Sequence, residues 1–233
     1  MELAHLVPTS LLDYPDRVAA VLFTAGCNFR CPFCHNAELV LPEKTRELQL
    51  TGKQEVFRAL EERRGFLDGV VITGGEPTLQ PDLREFIREV RQLGLLVKLD
   101  TNGSRPEVLE DLLAAGLLDY VAMDVKAPLT RYSDFAGVPV DLSAIEESIC
   151  LVRERAPDYE FRTTVAPGLV AEDLKEIAVL LAGSRCWFLQ PFIVPEGKGL
   201  VDPAFERRPA LGRFALLQVW QEASTGSIRG GVR

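Results

Sequence analysis

The chain has 233 residues, with 26 lysines and arginines against 34 aspartates and glutamates, so its net charge is −8; 47% of residues are hydrophobic and 26% charged. That composition excludes a disordered, collagen-like or disulfide-dense chain, and an acidic chain lacks the dense basic face needed to grip nucleic acid. No apolar run approaches the roughly 18 residues that cross a bilayer, and the opening Met-Glu-Leu-Ala-His carries no secretory signal. Length and pattern predict a single domain over residues 1–224 and a small, polar, poorly ordered tail over 225–233.

Residues 18–24 form the first apolar, β-branched run, and the long segment 25–52 follows it. The second run, 69–73, leads through Gly74 and Gly75 to a helix over 82–93, where Leu83, Phe86, Ile87, Val90 and Leu93 recur at helical spacing behind Pro81. A third run, 95–99, precedes Asp100-Thr101-Asn102-Gly103 and a helix over 106–115 that opens on Pro106 and is closed by Gly116. The fourth run, 120–123, precedes Asp124-Val125-Lys126, the long segment 126–140, and a helix over 141–154 expected to bury Leu142, Ile145, Ile149 and Val152. The fifth, 159–165, is followed by a helix over 172–182, and the sixth, 186–192, by the long segment 191–209.

Nearly continuous apolar strands that alternate with helices predict an α/β fold with a parallel sheet. Six units are too few for the closed barrel of eight, so the expected architecture is an open, partial (β/α)6 TIM-like barrel, with a doubly wound sheet as the alternative. All three long segments leave the carboxyl ends of strands, where such folds place their sites.

The first of them reads Cys27-Asn28-Phe29-Arg30-Cys31-Pro32-Phe33-Cys34-His35-Asn36. Five cysteines in all, three of them this close together, argue against a disulfide framework and for a reducing cytoplasm. Thiolates in such a cluster suit zinc or an iron–sulfur centre. A closed zinc site wants four ligands, and His35 beside Cys34, or the distant Cys150 or Cys186, makes a poor fourth. Three cysteines match instead a four-iron cluster with one iron left open. A zinc-stabilised binding module without enzymatic activity is the competing reading. Cys150 and Cys186 read as small core residues.

Cys27-x3-Cys31-x2-Cys34, with the aromatic Phe33 before the last cysteine, resembles the signature of the radical S-adenosylmethionine enzymes. The stretch Ser10-Leu11-Leu12-Asp13-Tyr14-Pro15, with Phe23-Thr24-Ala25-Gly26-Cys27 after it, is similar to one branch, the activating proteins of glycyl radical enzymes. Within that branch it looks most like those of anaerobic ribonucleoside-triphosphate reductase.

The resemblance implies a [4Fe–4S] cluster on Cys27, Cys31 and Cys34. It places Phe33, Gly74, Gly75, Glu76, Asp100, Thr101, Asn102, Asp124, Lys126 and Arg162 around bound S-adenosylmethionine. The segment Thr73-Gly74-Gly75-Glu76-Pro77 would hold the cofactor's amino group, and a monovalent cation would sit near Asp100 and Asp124 beside its carboxylate. The competing reading makes Asp100 a turn or capping residue, and Asp124 with Lys126 a strand-end ion pair. Arg162, costly inside an apolar strand unless paired, points into the barrel toward a carboxylate or the cofactor. Gln190-Pro191-Phe192-Ile193 stands where related activators carry a histidine, so Gln190 is the candidate on the ribose side. His35 would shield the cluster or serve as a local turn residue.

The implied activity is reductive cleavage of S-adenosylmethionine, followed by hydrogen abstraction from one glycine of a partner enzyme, with a flavodoxin- or ferredoxin-type electron donor. Tyr132 and Phe135, in the segment 126–140, and the loop after Phe192 are expected to form the docking surface for that partner. An alternative is a small-molecule enzyme similar to 7-carboxy-7-deazaguanine synthase.

Overall fold

The structure, a computed structural model, describes residues 1–194, 199–223 and 228–233. The chain begins with β1 (Leu3–Ser10), which runs antiparallel to β2 (Ala19–Thr24). From β2 onward every pairing is parallel. β3 (Gly69–Gly74), β4 (Leu96–Thr101), β5 (Tyr120–Asp124), β6 (Tyr159–Val165), β7 (Cys186–Pro191) and β8 (Arg229–Val232) follow in spatial order. The sheet runs β1 to β8 in sequence order, and among the described residues its two edge strands do not pair. It is the open, partial barrel that the alternation predicts, with each of β2 to β7 feeding a helical connection.

The helices are α1 (Ala37–Val40), α2 (Pro42–Thr45), α3 (Lys53–Glu61), α4 (Leu83–Gln92), α5 (Pro106–Ala114), α6 (Tyr132–Ala136), α7 (Leu142–Arg155), α8 (Ala171–Leu180) and α9 (Arg213–Ala223). Leu83, Phe86, Ile87 and Val90 of α4 are buried in the same core as Val70, Ile72, Val97 and Leu99 of the sheet. Each such side chain withdrawn from water contributes roughly 1.5–3 kcal/mol. Helix α7 starts at Asp141, whose Oδ1 accepts from the Ser143 backbone N–H at 3.0 Å and so satisfies one of the free amides of the first turn. Its inward stripe is Ile145, Ser148, Ile149 and Val152, while Leu142 is only half-buried.

Two elements lie beyond the six predicted strands. β1 precedes them all, and β8 falls where a poorly ordered tail was expected: Arg229 pairs with Cys186 and Val232 with Leu189. The rest of that tail, residues 225–227, lies outside the described residues, with Ile228 buried just before β8. No helix of the described residues is long and apolar enough to cross a membrane.

The barrel interior is unusual for its charge. Its floor is apolar, with Tyr14, Ala19, Val21, Val71, Tyr120 and Ala122 in one cluster. Above it, the inward positions of β4, β5 and β6 are Lys98, Asp100, Asp124, Glu160 and Arg162, which bond to one another directly.

Candidate functional site

A cavity of about 220 Å³ opens at the carboxyl ends of the strands, lined on one side by the cysteine segment and on the other by the ends of β3, β4 and β5. Cys27, Cys31 and Cys34 all line it, with Cys31 buried and the other two partly so. Burial pushes the Cys27 thiol up to about 11 and the Cys31 thiol up to about 12, and raises Cys34 as well.

The cysteine segment has little regular structure of its own, so it is held from outside. The Gly26 amide donates to Leu39 O of α1 at 2.8 Å, and the Arg30 amide to Ala136 O of α6 at 2.7 Å. On the far side, the Val201 and Asp202 amides donate to Cys34 O and Pro32 O at 3.1 and 3.0 Å. The Arg30 guanidinium closes the turn by donating to the carbonyls of Cys27 and Phe29 at 2.6 and 2.7 Å. Behind the segment, Phe29 packs edge-on to Tyr132 and Phe33 lies against Phe135, with ring centres 6.5 and 6.4 Å apart.

The two glycines after β3 make their closest approach to this same segment. A Cβ on Gly75 would lie 1.9 Å from Gly26 O, and one on Gly74, whose φ is +115°, 2.4 Å from the Thr24 amide nitrogen. Only glycine permits both. The turn then delivers the Glu76 amide to Gly26 O at 2.8 Å, one residue before the first cysteine.

Glu76 is a hub. Its side chain is 1% exposed. Oε1 accepts from the Thr78 amide at 3.1 Å, the Thr78 hydroxyl at 2.6 Å and the Thr101 hydroxyl at 2.8 Å; Oε2 accepts from the Asn102 amide at 2.7 Å. Burial raises its pKa above the usual carboxylate range, and these hydrogen bonds oppose the shift. Asn102 in turn donates to Asn28 Oδ1 at 3.0 Å, so the β4 loop, the β3 loop and the cysteine segment form one connected network.

Across the cavity stands the ionic rim. Lys98 Nζ lies 2.6 Å from Asp100 Oδ1, and Arg162 Nη1 lies 3.1 Å from Asp100 Oδ2. Arg162 Nε lies 2.9 Å from Asp124 Oδ1, and Lys126 Nζ 3.1 Å from Asp124 Oδ2. Burial alone would raise both aspartates, but Arg162 foremost, with Lys98 and Lys126, holds them below the usual range. Burial likewise works against the charge on Lys126, and Asp124 more than restores it.

Every predicted cofactor residue except Arg162 lines the cavity. Arg162 sits beneath it and positions Asp100 and Asp124, which is the ion-pair alternative. Val40 and Thr164 also line the cavity without having been singled out. Gln190 faces inward from β7, where its Oε1 accepts from Thr164 at 3.5 Å. His35 lines the cavity too, with its ring 5.7 Å from that of Phe192. Where a monovalent cation was expected, each oxygen of Asp100 and Asp124 accepts from lysine or arginine, and Thr101 is bonded to Glu76.

Two expectations need correction. Tyr132 and Phe135 are 0% and 4% exposed, so they are core residues that back the cysteine segment and form no docking surface. Cys150 is exposed on α7, because the helix turns Ile149, Leu151 and Val152 inward and leaves Cys150 on the outer face. Residues 195–198 of the loop after Phe192 lie outside the described residues.

Comparison with known proteins places this geometry. The chain is 37% identical over 210 residues to a Methanocaldococcus jannaschii protein named "Putative glycyl-radical enzyme activating enzyme MJ1227", covering 88% of this chain and 84% of that one. It is 28% identical over 204 residues to the AdoMet-dependent heme synthase of Methanosarcina barkeri, where the match takes in 83% of this chain but only 55% of the relative. Streptococcus suis SuiB bound to precursor peptide SuiA shares the fold, with a TM-score of 0.66 and 14% identity over 91% of this chain and 48% of that one. The family model of the Radical SAM superfamily matches residues 21–181, from β2 through α8, and the chain belongs to that superfamily.

Proposed function

We propose that the chain is a radical S-adenosylmethionine activase that generates a glycyl radical on a partner enzyme, anaerobic ribonucleoside-triphosphate reductase. One observation carries the reading: three thiols on one wall of a cavity face a polar wall that carries both charges, with Glu76, Asp100 and Asp124 beside Lys126. The likeness to the Methanocaldococcus jannaschii protein across most of both chains supports the activase branch over a small-molecule enzyme.

The superfamily implies a [4Fe–4S] cluster and S-adenosylmethionine. The donor set suits the cluster: three soft thiolates and an open cavity beside them. In this reading Cys27, Cys31 and Cys34 would hold the cluster, with Phe33 lining the cavity beside them. Bound there, a reduced cluster would supply the one electron that splits S-adenosylmethionine into methionine and a 5′-deoxyadenosyl radical, the species that would take a hydrogen atom from the target glycine and leave the radical on it.

The chain's own residues bind and orient. The backbone at Gly74 and Gly75 and the Oε2 of Glu76, which carries a single hydrogen bond, receive the cofactor's ammonium. Lys126, held charged by Asp124, meets its carboxylate. Thr101 and Asn102 fix Glu76, and Arg162 fixes Asp100 and Asp124. Gln190 and Thr164 face the ribose side. Electron supply by a flavodoxin- or ferredoxin-type protein and a cytoplasmic setting complete the reading.

The test is 5′-deoxyadenosine release by the anaerobically reconstituted protein with dithionite, with and without the reductase. Release that rises with the reductase and vanishes in Cys31→Ala supports the proposal. Release indifferent to every candidate glycyl radical enzyme refutes the activase branch.

A further inference from the structure

Lys98 is 1% exposed, on the inward face of β4 two residues before Asp100. A buried ammonium needs an anionic partner, and among the described residues Lys98 has one within 4.0 Å, Asp100, at 2.6 Å. Its Nζ also lies 5.8 Å from the centre of the Tyr120 ring, whose face adds a weaker attraction. Arg162 takes the other oxygen of Asp100 and one oxygen of Asp124, and Lys126 takes the last. Glu160 is 3.9 Å from Arg162 and is itself bonded by Arg233 at 2.8 Å and by the Tyr120 hydroxyl at 3.3 Å. The three carboxylates of this interior, Asp100, Asp124 and Glu160, therefore meet cations supplied by the chain. A free metal cation entering here would find each oxygen of Asp100 and Asp124 already accepting from lysine or arginine and would face the charges of Lys98 and Arg162.

We propose that Lys98 is the built-in counter-ion of this rim, so that S-adenosylmethionine binds here without a monovalent metal cation. The inference rests on the proposed cofactor site and goes beyond it by naming what balances Asp100. Lys98 acts through Asp100 and does not itself line the cavity, so it is a positioning residue.

The experiment measures the dissociation constant of S-adenosylmethionine on the reconstituted, cluster-bearing protein in potassium, sodium and tetramethylammonium salts of equal ionic strength. Wild type should vary by less than about twofold across the series, whereas a required cation would couple by about fivefold or more. Lys98→Met should bind more weakly in tetramethylammonium and recover in potassium or sodium, and Lys98→Arg should behave as wild type. Loss of about fivefold or more by wild type in tetramethylammonium would overturn the proposal, as would a Lys98→Met protein as indifferent to the salt as wild type. If Lys98→Met does not fold, the wild-type series decides alone. Absence of binding in every salt refutes the cofactor site itself, a result distinct from cation dependence.

Discussion

Replacing Gly75 by alanine would put a Cβ 1.9 Å from Gly26 O, where real Cβ contacts do not fall below 3.0 Å. The two backbones must therefore part by at least about 1.1 Å, and the Glu76 amide bond to Gly26 O, now 2.8 Å, stretches with them. The lost hydrogen bond costs about 1 kcal/mol and the overpacking about 1–3 kcal/mol, so the variant should lose roughly 2–4 kcal/mol of stability. For a chain of this length that is a fall in Tm of roughly 5–15 °C. A control separates crowding from backbone conformation. Gly116, at φ +63° with nothing near its absent Cβ, should cost only about 1 kcal/mol as alanine. Urea unfolding of both variants gives the stabilities, and iron content after anaerobic reconstitution shows whether the displaced Gly26 carries Cys27 with it. A Gly75→Ala protein within about 0.5 kcal/mol of Gly116→Ala would refute the claim that the two loops are locked by close contact.

Phe135→Ala should lose about 3–5 kcal/mol in urea unfolding, as for any large buried ring; a change below about 1 kcal/mol would return Phe135 to the surface. In the cluster-free protein, iodoacetamide followed by peptide mass spectrometry should label exposed Cys150 first and buried Cys31 last. Because the folded state holds Asp124 below its ordinary value, its stabilisation is complete above that value and fades as pH falls through the lower, folded one. The stability gap between wild type and Asp124→Asn should thus stay level from about pH 5 to 8 and narrow only below about pH 4. A gap that narrows nearer neutrality would contradict the ion pairs with Arg162 and Lys126.

The parallel core was legible because strands buried on both faces are nearly continuous apolar runs, and the helices between them repeat at their own period. The edge strands were not. β1 mixes His5, Pro8 and Thr9 with its apolar residues, since it is half-buried, and β8 is short and begins Arg-Gly-Gly. In the site, the cysteines and the Gly-Gly-Glu-Pro turn announced themselves by spacing and chain position. Tyr132 and Phe135 misled because an aromatic in a long connection looks like surface, and only the fold shows that the connection tucks behind Phe29 and Phe33. Lys98 passed as part of an apolar strand, because its partner Asp100 becomes a neighbour only once both lie on the inward face.

The central claim, that this cavity delivers a hydrogen-abstracting group to a partner's glycine, is tested most directly by isotope transfer. The reductase would be prepared with deuterated glycine and incubated anaerobically with the reconstituted protein, dithionite and S-adenosylmethionine, and the 5′-deoxyadenosine weighed by mass spectrometry. The account predicts one deuterium per molecule of 5′-deoxyadenosine formed, together with an electron paramagnetic resonance signal of a glycyl radical, both lost in Cys31→Ala. Undeuterated product with no radical on the reductase would contradict it.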